Sequence, residues 1–270
     1  MLTLPLKELR LRPHHSFSSL NKFLNICTLQ YAFSYIYRLP PEHTPVNLVF
    51  GSAFHRTLEY LAKCRMQGSI VPNDDADECF SNYWSQLCLD AVDIAFKSQE
   101  QFEELEATGR RMIKVFMESW QEYEIIDICH AFSVPLGASD KPLIGEFDCI
   151  LRDRDGKIVI VDWKSAARRW PEGKADKDLQ ATCFSYAYML EYGEIPEFRF
   201  DVVTKTKTPV YQQLYTKRTS DDFVRLNRMV EMVERATAAD AFHPSETSFA
   251  CGDCIYKNAC SAWHKQHQAA

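Results

Sequence analysis

The sequence predicts an α/β chain with a mixed β-sheet flanked by helices, and three features carry that expectation. Apolar residues recur at helical spacing through the first half, the pattern then changes to short β-favouring runs, and helical spacing returns around a second pair of strand-like runs. No internal repeat or low-complexity segment interrupts the order. At 270 residues, 46% hydrophobic and 13% aromatic, the chain can bury a substantial core and reads as one domain, 1–270, with an inserted helical lobe.

Within residues 15–37, Phe17, Leu20, Phe23, Leu24, Cys27, Tyr31 and Phe33 recur at three-and-four spacing and predict one amphipathic helix, with Ser16 or Ser18 as its cap. After the proline-marked loop 39–45, residues 48–64 are helical again and set Gly51, His55 and Glu59 on one face, completing an N-terminal sub-region at 14–70. Residues 71–77 are polar and turn-rich. Residues 78–124 then read as two or more amphipathic helices carrying Trp84, Leu87, Val92 and Phe96, then Phe102, Met112, Val115, Phe116 and Trp120, within a lobe at 73–127.

Residues 131–136, 143–152 and 157–164 favour strands, and Asp153-Arg154-Asp155-Gly156 supplies the turn of a hairpin between the last two. Residues 176–192 read as a helix, and 198–204 and 210–215 as a further strand pair, which completes a core sub-region at 128–216. A strongly periodic helix at 220–239 opens the C-terminal sub-region 217–270.

The formal charge of −6 excludes a uniformly basic nucleic-acid coat, so any groove for a polyanion must be a local patch. Arg168, Arg169, Lys174 and Lys177 form one such cluster, while Arg110, Arg111 and Lys114 read more simply as solvated surface. No apolar stretch approaches the ~20 residues of a membrane-spanning helix, and residues 1–13 lack the layout of a secretory signal, so a cytoplasmic chain is expected.

The hairpin concentrates the chemistry. Residues two apart on a strand share a face, so Asp162 and Lys164 point one way and Trp163 the other, with Asp148 on the partner strand. Two carboxylates can hold hard divalent cations such as Mg²⁺ or Mn²⁺. A nearby ammonium can act on a water or offset charge on a phosphate. An isolated Asp-x-Lys is most often an ordinary salt bridge, but the apolar run Val159-Ile160-Val161 leads these residues to the carboxyl edge of a sheet, where sites of open α/β proteins gather.

Ten cysteines in a chain expected in a reducing compartment do not suggest a disulfide framework. Cys251-x-x-Cys254-x-x-x-x-x-Cys260 lies in a polar, turn-like segment, where three thiolates suit a metal better than a core. A closed zinc or iron–sulfur site needs a fourth ligand from elsewhere. Cys64, Cys79, Cys88, Cys129, Cys149 and Cys183 read as small apolar core residues.

Taken in order, Gly51-x-x-x-His55-x-x-Leu58-Glu59, Asp148, Asp162-Trp163-Lys164, Gln180 and the cysteines resemble the RecB-type branch of the PD-(D/E)xK nuclease superfamily, which includes the AddB nuclease domain and CRISPR-associated adaptation exonucleases. The resemblance implies a restriction-endonuclease-like core with a C-terminal iron–sulfur clasp. It implies a metal site of His55, Asp148, Asp162 and the Trp163 carbonyl, with Lys164 and Gln180 completing the catalytic set. It also implies that Cys27 joins Cys251, Cys254 and Cys260 around a [4Fe–4S] cluster, with zinc as the alternative metal. Glu59, Ser165, Arg168, Arg169 and Tyr186 are the candidate substrate contacts. The chain has Phe184 where relatives place tyrosine and Thr28 where they place proline.

The expected activity is a Mg²⁺- or Mn²⁺-dependent deoxyribonuclease, an exonuclease on single-stranded DNA or duplex ends in recombination, repair or CRISPR adaptation. Its expected partners are DNA and a helicase or recombination protein, since the chain carries no G-x-x-x-x-G-K-[ST] motif. The rival expectation is a catalytically silent module that binds DNA ends or a partner within a larger complex.

Overall fold

In the computed structural model, which describes residues 4–267 apart from 95, 97, 121, 122 and 249, five strands form one mixed sheet between two helical layers. Six helices precede the sheet: α1 (Leu6–Leu9), α2 (Phe17–Asn21), α3 (Thr28–Tyr31), α4 (Val46–Met66), α5 (Asn73–Asp90) and α6 (Gln99–Ser119). Then come β1 (Glu124–Leu136), β2 (Ser139–Arg152), β3 (Ile158–Ala166), α7 (Leu179–Tyr192), β4 (Glu197–Thr204), β5 (Tyr211–Thr216), α8 (Ser220–Ala238) and α9 (Lys257–His267). The strands lie in chain order, antiparallel except for β3 and β4, which run parallel because α7 carries the chain back between them.

Each sheet face buries its own core. On β3 the alternation of side chains sends Val159, Val161 and Trp163 into the core shared with α4, α5 and α6, while Ile160 enters the core shared with the N-terminal helices, α7 and α8. The turn between β2 and β3 closes as expected. Asp153 Oδ1 accepts from the amides of Asp155 at 2.9 Å and Lys157 at 2.8 Å, and Gly156 takes the left-handed conformation at φ 79°. At Gly145 the facing Phe132 ring lies over the backbone, 2.4 Å from where a Cβ would stand, so only glycine fits beneath that ring.

Three expectations need correction. The single helix expected over 15–37 is broken at Cys27, whose backbone is extended (φ −167°, ψ 122°), and its halves contain wide π-helical turns at Lys22–Ile26 and Ala32–Ile36. Apolar spacing of three and four survives such a break because both halves bury the same side. Cys27 restarts the helix by accepting the Gln30 amide on its sulfur. Residues 73–77 are not a turn but the first turn of α5, entered from Pro72, where Asp74 and Asp75 complement the helix dipole. The lobe ends at Ser119, and β1 begins at Glu124, before the expected strand.

A fully buried ion pair crosses the lobe side of β4. Arg199 donates through Nη2 to Asp201 Oδ2 at 2.9 Å, its Nε lies 2.7 Å from Oδ1, and its guanidinium lies over the rings of Tyr123 and Tyr215. Among the described residues, no helix is long and apolar enough to cross a membrane.

Candidate active site

The site forms where the two cores meet at one end of β2 and β3. Phe147 and Cys149 lie two apart on β2 yet enter opposite cores, so the facing of side chains switches at Asp148. Opposite the switch, Cys129 on β1 takes a left-handed backbone at φ 55°, an uncommon conformation for a residue with a side chain. Asp148 is thereby held toward the rim. There its Oδ2 accepts the Trp163 amide at 2.9 Å and meets His55 Nδ1 of α4 at 3.4 Å.

The second carboxylate arrives from the other layer. Asp162 is 1% exposed and points toward α7, as the alternation along β3 requires. Its Oδ2 lies 2.5 Å from Lys164 Nζ, and its Oδ1 accepts from the Gln180 side-chain amide. Gln180 returns the contact, its Oε1 accepting from Lys164 Nζ at 2.8 Å. Asp178 caps α7 by accepting the Gln180 amide at 2.9 Å, which fixes the helix start and with it the glutamine.

The charges are strongly interdependent. Burial, reinforced by Asp148 and opposed by Lys164 and His55, pushes the Asp162 carboxyl up to about 7. Burial also opposes ionisation of Asp148, but His55, Lys164 and the Trp163 amide outweigh it and hold that carboxyl below its usual range. His55 and Lys164 are both raised although burial works against their charge, His55 chiefly by Asp148 and Lys164 chiefly by Asp162. A buried carboxyl pushed up in this way beside a second carboxylate is short of positive charge. Two hard carboxylates and an imidazole fit a divalent cation that would supply it. Among the described residues, no group of three or more His, Cys, Asp or Glu side chains is drawn to metal-binding distances.

The structure thus gathers Asp148, Asp162, Lys164, Gln180 and His55, with Trp163 contributing its backbone beside them. Glu59 lies one turn beyond His55 and pairs with Lys63 at 2.5 Å. Ser165 falls on the other face of β3, beside Gly51, and Arg168 and Arg169 are exposed beyond the strand. Tyr186 is corrected as a substrate contact: it is buried against Phe223 of α8, because the helical repeat turns it away from the face that carries Gln180 and Phe184. Phe184 packs on Phe132, Phe147 and Phe198 as part of the core. Glu146 was missed: its carboxyl is raised by burial, Asp148 and Glu59. The spacing Glu146-Phe147-Asp148 was the available signal.

Cys27, Cys251, Cys254 and Cys260 line one cavity of about 210 Å³, with Ile26, Leu29 and Phe33 among its apolar walls. The amides of Gln30 and Ser245 donate to Cys27 Sγ at 3.4 Å, and the Gln30 side chain donates to Cys254 Sγ at 3.2 Å. Cys149 and Cys183 are core residues as expected, whereas Cys64, Cys79, Cys88 and Cys129 are half-buried.

The sequence profile of the family described as the PD-(D/E)XK nuclease superfamily matches residues 14–261. The chain is similar to the solved structure of a candidate exonuclease from Eubacterium rectale at 14% identity, covering 92% of this chain and 90% of that one with a TM-score of 0.53. It is also similar to the structure of SSO0001 at 14% identity, covering 91% of this chain and 95% of that one with a TM-score of 0.37. At such identity the first likeness speaks to the fold alone, the α/β restriction-endonuclease-like arrangement. No curated protein matches the sequence.

Proposed function

Because the chain belongs to the PD-(D/E)XK nuclease superfamily, we propose that it is a divalent-metal-dependent deoxyribonuclease of the RecB type, acting as an exonuclease on single strands or duplex ends. The observation that carries this reading is the closed network of Asp162, Lys164 and Gln180 meeting the Asp148–His55 pair at one rim. A salt bridge alone needs neither the glutamine nor the second carboxylate.

In this reading Asp148, Asp162, His55 and the Trp163 carbonyl hold Mg²⁺ or Mn²⁺, which supplies charge stabilisation on the phosphate and acidifies water. Lys164, fixed by Gln180 and Asp162, orients the attacking water by hydrogen bonding and offsets charge on the phosphate oxygens. Asp178 secures Gln180 through the α7 cap, so the lysine is positioned from outside the reacting atoms. Labelled single-stranded and duplex DNA incubated with Mn²⁺, Mg²⁺ or EDTA tests the proposal. Metal-dependent shortening is expected, and a folded chain that leaves every substrate intact makes it a silent binding module.

The pH dependence follows from Asp162. A carboxyl raised above its unfolded value of about 3.9 contributes stability below that value and loses it as pH rises through about 7. A bound cation replaces the proton, so the rise in Tm produced by Mn²⁺ should be larger at about pH 8 than at about pH 5. An equal rise at both, measured by thermal melting, would remove Asp162 from the cation's shell.

The four cysteines fit an iron–sulfur group in donor chemistry, since three N–H groups already point at two of the sulfurs. We assign the cavity to a structural [4Fe–4S] cluster that would clasp sub-region 14–70 to sub-region 217–270, beside the lobe at 73–127 and the core at 128–216 that make up the rest of the domain. Protein purified anaerobically should absorb near about 400 nm. Colourless protein containing zinc would replace the iron assignment.

A further inference from the structure

A walled groove of about 970 Å³ leads from Arg10, Arg12 and Arg38 past Lys141 to Asp148 and Gln180. We propose that it seats a single nucleic-acid strand approaching the site, with the strand's phosphates taken by these four cations. The inference rests on the nuclease reading for what happens at the groove's end, but strand binding can be measured without cutting.

The charge pattern points to a polyanion. On a chain of net charge −6, the acids lining this groove are Glu146 and Asp148, both at its catalytic end. Among the described residues, none of the four cations closes a salt bridge. In a second groove, by the β2–β3 turn, Arg152 pairs with Glu124 at 3.0 Å and Lys217 with Glu197 at 3.5 Å. Unpaired cations facing a concave wall attract phosphates, because counterions held there are released on binding.

The groove is also built rigidly. His15 joins the edge of the β1–β2 hairpin, donating its amide to the Pro142 carbonyl at 2.8 Å and accepting the Ile144 amide at 2.9 Å, and its ring reaches Glu234 of α8 at 3.0 Å. The stretch carrying Arg10 and Arg12 is thereby fixed along β2. On the opposite wall Arg38 adopts a left-handed backbone at φ 52°, held between hydrogen bonds donated by the Tyr37 amide to the Ala32 carbonyl and by the Leu39 amide to the Phe33 carbonyl, while its side chain stays exposed. An arginine kept in a conformation that costs less for glycine or asparagine is a constraint of the kind found at binding sites. The half-buried rings of Phe17 and Tyr35 and the hydroxyls of Ser16, Ser18 and Ser34 complete the lining, which suits unpaired bases better than a closed duplex.

The test is fluorescence anisotropy of a labelled single-stranded oligonucleotide with the full chain in EDTA across a salt series. Arg12→Ala/Arg38→Ala should weaken binding about tenfold at physiological salt and reduce the slope of log K against log salt by about 1.4. Lys157→Ala/Lys217→Ala removes the same charge from the other groove and should leave both quantities at wild-type values. The proposal is overturned by a wild-type slope in the first variant, by an equal loss in the second, by no strand binding at all, or by duplex bound as tightly with the same loss of slope. Strand binding through the groove with no Mn²⁺-dependent cleavage would sink the nuclease reading and leave the groove standing. Cleavage with an unaltered slope would do the reverse.

Discussion

Asp162→Ala is expected to lower Mn²⁺-dependent cleavage by about 10³-fold or more while the chain stays folded. Asp162 is the most buried of the charged groups at the site and the common partner of Lys164 and Gln180. Its loss removes a proposed ligand and frees Lys164, the residue proposed to orient water. The fold should survive, because Lys164 keeps its bond to Gln180 and the charge of Asp148 nearby. Asp162→Asn separates charge from shape: it keeps the volume and an acceptor for Gln180, yet should be equally inactive. Rates measured with saturating metal and circular dichroism on the same samples decide the matter. Cleavage at wild-type rate in folded Asp162→Ala would remove the residue from catalysis.

The largest effect on stability is expected at β4, far from any chemistry. Asp201→Ala should cost about 3–5 kcal/mol in a urea titration, because it strands the Arg199 guanidinium, fully buried, without its bidentate partner. Burial opposes the charge of both groups: it pushes the Asp201 carboxyl up against the pull of Arg199, while Asp201 holds the Arg199 guanidinium up against burial. Replacing both together, Arg199→Met/Asp201→Leu, should lie near neutral, since neither desolvation penalty is then incurred. A single-variant loss below about 1 kcal/mol would mean that water reaches the guanidinium once its partner is gone.

How much of this was legible in the sequence depended on how local the physics was. Period-two alternation along Val159–Lys164 correctly placed Trp163 on one face and Asp162 and Lys164 on the other, because a strand's geometry fixes it. The Asp153–Gly156 turn was equally local. The helical pattern of residues 15–37 concealed the break at Cys27, since spacing records which side is buried and not whether the backbone is continuous. Tyr186 failed as a substrate contact because nearness in sequence to Gln180 says little until the turn of 100° per residue is applied. The left-handed backbone of Cys129 had no signal, for cysteine is not a residue type that marks that conformation. Arg10, Arg12, Arg38 and Lys141 are scattered over the chain, and only the fold, with His15 anchored on β2, lines them along one groove.

The switch of facing at Asp148 has a consequence for how the site comes into being. His55 is delivered to Asp148 by the lobe-side layer, and Gln180 is delivered to Asp162 and Lys164 by the opposite one. The constellation therefore works as a coincidence detector for folding: a chain with either layer undocked holds half a site. A nuclease assembled in this way keeps its half-folded forms harmless, since completion of the blade waits on completion of the handle.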